Sequence, residues 1–374
     1  MLLVVNAGSS SVKVALFGAG LDEVARGQVS EIGGASVIEV AGQKTAQPVA
    51  DHQAALAVLL QALGLTPAAL TGAAHRVVHG GAGLVAPCRL TPDVLARIEA
   101  CIPLAPLHNP ANLTAIRALA ALAPDLPQYA SFDTAFHATI PAVASTYALP
   151  GAERALGIRR YGFHGISYAS MVGHLRAKAA LPGRLLACHL GNGASLCAVR
   201  DGRSVATTMG YSPLEGLTMG SRTGDIDGNA VLRLAERHGI EGAARLLNRQ
   251  SGLLGLGGAS DMRALRAAGT PEAAFAIEHF AYWAVRHAGS MVAAMGGLDA
   301  IAFTGGIGEN DAAMRAAIVA GLGFLGARID PAANAARAEI LSATGSDVAI
   351  RIVRAEEERQ IASEAITIMA EEQA

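Results

Sequence analysis

The stretch Leu2-Leu-Val-Val-Asn-Ala-Gly-Ser-Ser-Ser-Val-Lys-Val-Ala-Leu-Phe17 decides how the chain is read. An apolar run to Asn6 breaks into small polar residues, and a second apolar run starts at Val12: strand, tight turn, strand. The turn offers backbone N–H groups and hydroxyls, with Lys13 just beyond, and such turns can cradle phosphate. Taken alone, it also reads as an ordinary hairpin. The same form returns at Leu185-Leu-Ala-Cys-His-Leu-Gly-Asn-Gly-Ala-Ser-Leu-Cys-Ala-Val199. Two copies, each near the start of one half, predict a duplicated domain with a nucleotide between the copies.

A chain of 374 residues is long for one core and fits two domains. Hydrophobic residues make up 52% and charged residues 16%, a balance that favours burial over disorder. The net charge is -2 and no Lys/Arg block occurs, which excludes a nucleic-acid or anionic-membrane partner from the expectations. Cys88, Cys101, Cys188 and Cys197 form no CxxC pair and no metal-finger spacing. The N-terminal apolar run is too short for a secretory signal, and no segment approaches the roughly 20 apolar residues of a membrane span. A cytoplasmic protein is expected.

Short strands are predicted over residues 24–49, and a helix over 51–63 with Ala54, Leu56, Leu59, Leu60 and Leu63 as its stripe. Residues 73–81 read as a strand ending in two glycines, with Arg76 inside it. An arginine in a buried strand is costly unless it is paired or reaches a ligand. Helices are expected at 92–101 and 111–122, around a proline-rich break in which His108 reads as structural. A strand over 128–136 carries Asp133 at its end, as a metal ligand or a helix cap.

Beyond the second hairpin lies Thr207-Thr-Met-Gly-Tyr-Ser-Pro-Leu-Glu-Gly-Leu-Thr-Met-Gly-Ser-Arg-Thr-Gly-Asp-Ile-Asp-Gly228, which has neither strand nor helix period. Irregular stretches this long are usually binding or active-site loops. Arg222 is its only cation, and Asp225 and Asp227 read as structural acids that hold the loop and the next helix. Helices are predicted at 167–179, 229–238 and 272–295, the last with Trp283 in a core stripe. Residues 251–263 read as a glycine-dense turn. A strand at 299–303 runs into Thr-Gly-Gly-Ile-Gly-Glu-Asn, 304–310, a glycine turn before a helix, where backbone can approach a nucleotide. A last strand, 348–353, precedes a helix opened by three glutamates, which alone would be a solvated N-terminus.

In this order the motifs resemble the acetate and propionate kinase family of the sugar kinase, Hsp70 and actin superfamily. The resemblance rests on Asn-Ala-Gly-Ser-Ser-Ser-Val-Lys at 6–13, His-Arg-Val-Val-His-Gly-Gly at 75–81, Pro-Leu-His-Asn-Pro at 106–110 and Phe-Asp-Thr-Ala-Phe-His at 132–137. It continues through Tyr-Gly-Phe-His-Gly at 161–165, His-Leu-Gly-Asn-Gly at 189–193, Pro-Leu-Glu-Gly-Leu at 213–217, Gly-Asp-Ile-Asp at 224–227 and Phe-Thr-Gly-Gly-Ile-Gly-Glu-Asn at 303–310.

The resemblance implies an α/β fold of duplicated RNase H-like, actin-like ATPase domains with a nucleotide cleft between them. One domain would comprise residues 1–135 plus about 355–374 and the other about 136–354. It implies reversible transfer of the ATP γ-phosphoryl to acetate, giving acetyl phosphate and ADP, with Mg²⁺ or Mn²⁺, in a homodimer.

By motif, Arg76, Asp133, His164 and Arg222 are implied in catalysis, and Arg76, Val78, Leu107, His108 and Pro213 in holding the acid. Lys13, His189, Leu190, Gly191, Asn192, Gly193, Asp261, Met262, Arg263, Gly306, Ile307, Gly308, Glu309 and Asn310 are implied around the nucleotide. Asn6 and Glu357 are implied at the metal, with Glu356 or Glu358 one register away. The alternatives are a propionate or butyrate kinase of the same family and a non-catalytic nucleotide switch.

The family pattern is broken in three places: Arg-Ala-Glu-Glu-Glu at 354–358, Ala206-Thr-Thr before Met209, and Gly228 where proline is usual.

Overall fold

The computed structural model describes residues 1–374. Two compact units emerge, one formed by Met1–Phe136, Gly165–Ser170 and Glu356–Ala374, the other by His137–His164 and Met171–Ala355.

The first unit holds an eight-stranded sheet of β1 (Leu2–Ala7), β2 (Ser11–Phe17), β3 (Glu23–Ser30), β4 (Val37–Val40), β5 (Gln43–Ala46), β6 (Gly72–Val77), β7 (Cys88–Arg89) and β8 (Gln128–Phe132). Their spatial order is β5-β4-β3-β2-β1-β6-β8-β7. The second unit holds β9 (Arg184–Leu190), β10 (Ala194–Arg200), β11 (Arg203–Thr207), β12 (Ala300–Thr304) and β13 (Ala349–Ile352), ordered β11-β10-β9-β12-β13.

The duplication is visible in strand direction. In the first sheet β1, β2 and β3 are an antiparallel meander, and β6 then β8 join the free side of β1 in parallel. In the second, β9, β10 and β11 are the meander, and β12 then β13 join β9 in parallel. Both quoted stretches are therefore equivalent hairpins, closed at Ala7↔Val12 and at Leu190↔Ala194.

Central strands of this kind are covered on both faces, and residue alternation shows how. Leu3 and Val5 of β1 pack with Val12, Val14 and Leu16 against Leu56 and Leu59 of the helix His52–Ala62 and Leu119 of the helix Asn109–Leu122. Leu2 and Val4 point the other way, onto Ile361, Ala362 and Ala365 of the C-terminal helix Glu357–Gln373. Burying that helix here carries Glu357, at its first turn, back to the first sheet.

Several local expectations need correction. The helix predicted at 229–238 is present, opening at Gly228 and ending at the non-helical Gly239 (φ 71°, ψ 166°), but a second helical stretch beyond that kink, to Arg249, was not expected. Gly252–Gly257, read as turn, is helical, because Leu253 is fully buried and fixes the segment from one side. Gly305–Asn310 is likewise helical, and Gly305 enters it at φ 79° with Leu190 O only 2.8 Å from where a Cβ would stand. Trp283 is not in the core: on the helix Pro271–Met295 the buried stripe runs through Phe280, Ala284, Ala288 and Met291, and Trp283 lies half-buried beside it under Arg286. No helix is long and apolar enough to cross a membrane.

Candidate active site

In the first unit, Asn6 on β1, Arg76 on β6 and Asp133 just past β8 lie at the carboxyl ends of adjacent parallel strands. Ligands of open α/β sheets characteristically bind at such ends. Arg76 and Asp133 form a two-point pair: Nε donates to Oδ1 at 3.3 Å, and Nη2 makes a shorter bond to Oδ2. Nη1 faces Asn6 Oδ1 at 3.4 Å. The Arg76 side chain is 23% exposed and that of Asp133 3%. Burial alone would lower the Arg76 pKa, but Asp133, Glu357 and Glu358 outweigh it and raise it, so the cation is fixed. Burial pushes the Glu357 carboxyl up, and the charges of Arg76 and Lys13 pull it back.

Around this group the backbone after β6 is held by buried amides. Asn112 accepts from Val78 N at 3.1 Å and donates to Ala7 O at 2.8 Å, so it ties the end of β1 to the segment carrying Val78. Asn109 accepts from His79 N at 3.1 Å and donates to His79 O at 3.0 Å. Leu107, largely exposed, and His108, half-buried, immediately precede the same helix. Lys13 sits opposite Asn6 in the hairpin and lines a cavity of about 250 Å³ with Arg26, Gln28, Glu39 and Glu358.

In the second unit His164, Gly193 and Arg222 converge. A Cβ added at Gly193 would stand 3.2 Å from both Arg222 Nη2 and His164 Nε2, so only glycine leaves those atoms free of crowding. His164 has φ 58°, its Nδ1 is 2.8 Å from Ser195 Oγ, and its ring stacks on His189 at 4.1 Å. Arg222 Nη1 donates to Pro213 O at 2.6 Å. Gly220 N donates to Asn192 O at 2.9 Å, which ties the long loop to the second hairpin turn.

The glycine segment after β12 lies by that turn: a Cβ on Gly191 would be 3.8 Å from Gly306 N. Gly308 O accepts from the buried Arg315 at 2.9 Å. The Glu309 carboxylate accepts from Gly305 N and Ala355 N, each at 3.0 Å, so it braces its own loop. Asn310 donates to Gly306 O at 3.0 Å, and Ile307 is half-buried. Leu190 is fully buried and can offer only backbone. Asp261 caps the helix Met262–Ala268 through the N–H groups of Arg263 and Ala264; Met262 is buried and the Arg263 side chain is 93% exposed.

Asp225 accepts from Gly216 N at 2.7 Å, and Asp227 caps the helix Gly228–Arg249. Both acids hold backbone, as expected.

No three His, Cys, Asp or Glu side chains cluster as a metal site. Asn6 and Glu357 offer oxygen donors, the hard-ligand type that suits Mg²⁺, which keeps several waters and uses few protein ligands. Asn109, Asn112, Ser195 and Arg315 escaped sequence reading. A polar residue inside an Ala/Leu helix was the available signal for Asn112, since buried amides are almost always hydrogen-bonded, whereas Asn109 stood in the proline-rich break.

Residues 1–363 match the Acetokinase family. The acetate kinase of Rhodopseudomonas palustris is 44% identical over 386 residues, covering 97% of this chain and 96% of that protein. The crystal structure of Porphyromonas gingivalis acetate kinase superposes with a TM-score of 0.92 at 35% identity, over 98% of this chain and 99% of that one. A propionate kinase structure from Francisella tularensis gives a TM-score of 0.92 at 35% identity, over 97% and 98%. With a family match over nearly its whole length, and relatives that agree in sequence and in fold, the chain belongs to the acetokinase family.

Proposed function

We propose that the chain is an acetate kinase: an acetate oxygen attacks the γ-phosphorus of ATP, the bond to the β,γ-bridging oxygen breaks, and acetyl phosphate and ADP leave. The reaction runs in both directions. The observation that carries this reading is the buried Arg76–Asp133 fork at the strand ends, in a family of carboxyl-directed phosphotransferases.

Phosphoryl transfer asks a protein mainly for positioning and charge stabilisation. An anionic nucleophile approaching an anionic phosphate needs cationic partners, and Arg76 and Arg222 are the cations assigned to that task. Asp133 fixes the plane of the Arg76 guanidinium and leaves Nη1 directed towards Asn6. Acetate is already ionised at neutral pH, so Asp133 serves as an organiser of Arg76 rather than as a general base. His164, oriented by Ser195, supports the transferring group beside Arg222. Lys13, the turn His189–Gly193, the segment Gly306–Asn310 and Asp261 to Arg263 serve the nucleotide. Val78, Leu107 and His108 serve the acid's apolar end, a role that the family resemblance also implies for Pro213.

Asn6 and Glu357 would hold Mg²⁺, which when bound neutralises phosphate charge. A cytoplasmic homodimer completes the proposal, supported by the family resemblance; light scattering of the purified chain tests the dimer.

Acetyl hydroxamate formed from acetate and Mg-ATP in the presence of hydroxylamine tests the activity. Propionate is the second reading, favoured by the equal TM-score of the Francisella propionate kinase. One methylene in an apolar pocket is worth about 1–3 kcal/mol, so kcat/KM for acetate, propionate and butyrate separates the readings.

A further inference from the structure

Tyr147, Arg160 and Glu215 have no part in the chemistry above, yet they are joined to the loop that carries it. Arg160 Nη1 donates to three successive loop carbonyls, Thr207 O at 3.4 Å, Thr208 O at 3.0 Å and Met209 O at 3.3 Å. Its Nη2 is paired with Glu215 Oε1. The other oxygen of Glu215 accepts from the Tyr147 hydroxyl, whose oxygen accepts from Tyr211 N at 3.0 Å. The Arg160 guanidinium lies 5.6 Å from the Tyr147 ring centroid, so cation, ring and carboxylate form one closed unit. Gly210 lets it close: a Cβ there would be 1.6 Å from Glu215 Oε2.

Pro213 lies between the two loop positions this unit grips, Tyr211 and Glu215. The Pro213 carbonyl is the acceptor for Arg222 Nη1 at 2.6 Å. We propose that Arg160, Glu215 and Tyr147 are positioning residues that set the place of Pro213, and through its carbonyl that of Arg222. They thereby govern both the transfer step and the selection of acid chain length. The inference rests on the acyl-phosphate-forming reading above. It goes beyond that reading in assigning selectivity to residues that touch neither substrate. Displacements of about 1 Å in a catalytic group can cost about a hundredfold in rate. A carbonyl acceptor that holds an arginine is a direct route for one.

A cavity of about 300 Å³ borders the unit, lined by Arg160, Thr207, Thr208, Glu215, Asp225 and His287. It gives a small cation access to the position of the Arg160 head group.

The test is steady-state hydroxamate kinetics on the full chain and on Tyr147→Phe, Glu215→Gln and Arg160→Ala, with thermal melting of each. Expected are a fall in kcat of about tenfold or more and an acetate-to-propionate ratio of kcat/KM altered by about threefold or more. KM for ATP should stay within about twofold in Tyr147→Phe, and millimolar guanidinium should restore part of the rate to Arg160→Ala but not to Glu215→Gln. Unchanged kcat and selectivity in Tyr147→Phe and Glu215→Gln, or lost melting cooperativity with an unchanged selectivity ratio, would overturn the clamp while leaving the reaction assignment intact. Absence of hydroxamate from the wild-type chain would overturn the reaction assignment, and the clamp with it.

Discussion

Arg76 and Asp133 sit at the ends of neighbouring parallel strands, and the strand register brings them together: Val77 lies opposite Phe132, and Asp133 N donates to Val77 O at 3.0 Å. The side-chain fork is thus built on backbone that the sheet already fixes. Replacing Asp133 with Asn takes from a half-buried guanidinium its hydrogen-bonded counter-charge and leaves it only Glu357 and Glu358, a defect that costs up to about 3 kcal/mol of stability. We expect Asp133→Asn to lower kcat/KM for acetate by about a hundredfold or more at every pH tested. A pH-rate limb that vanishes in this variant while metal affinity is unchanged would instead make Asp133 a general base.

Arg222 is held in a different kind of setting, an irregular loop pinned by Pro213 O and by the second hairpin turn. Arg222→Ala should reduce kcat by about two to three orders of magnitude and leave ATP binding, read by calorimetry, nearly unchanged. Loss of ATP binding with an unaltered residual kcat would assign Arg222 to the nucleotide.

His75 and His137 are buried, and burial lowers both pKa values to about 4. A histidine whose folded pKa is depressed binds fewer protons when folded, so its contribution is intact above about 6.5 and is lost as pH falls towards about 4. Each contributes at most about 1.4 kcal/mol per pH unit in that window. Glu364 works in the opposite sense, because burial raises its carboxyl. His137→Gln isolates one histidine: the stability gap between wild type and variant, from urea midpoints, should narrow between pH 7 and pH 5. A gap that stays constant would mean His137 does not titrate differently on unfolding.

Asp227 accepts from Asn229 N at 2.8 Å and Ala230 N at 3.3 Å at the start of a long helix. Asp227→Ala should cost about 1 kcal/mol in chemical denaturation, with kcat within about twofold of wild type. A large kinetic defect without a stability change would show that Asp227 does more than cap.

The hairpins were legible because their signal is local: a polar turn between two apolar runs fixes Ala7 against Val12 and Leu190 against Ala194. Asp227 was legible as a helix holder for the same reason, since it caps N–H groups two and three residues beyond itself. What stayed hidden is non-local. Asn112 meets Val78 across 34 positions and Arg160 meets Glu215 across 55, and no periodicity records such meetings. The helices Gly252–Gly257 and Gly305–Asn310 were hidden too, since glycine lowers helix propensity by about 1 kcal/mol per residue and only packing compensates. Trp283 misled because a lone tryptophan amid apolar residues suggests core, whereas its helical phase lies about 60° to one side of the buried Phe280, away from Ala284 and at the edge of the stripe.

Acid-dependent hydroxamate formation with Mg-ATP, measured side by side for wild type and Arg76→Ala, tests the central assignment most directly. Acyl hydroxamate from the wild-type chain with acetate, and a fall of about a hundredfold or more in kcat/KM for acetate in Arg76→Ala, is the expected result. No product from the wild type, or equal kcat/KM in the two proteins, would contradict it.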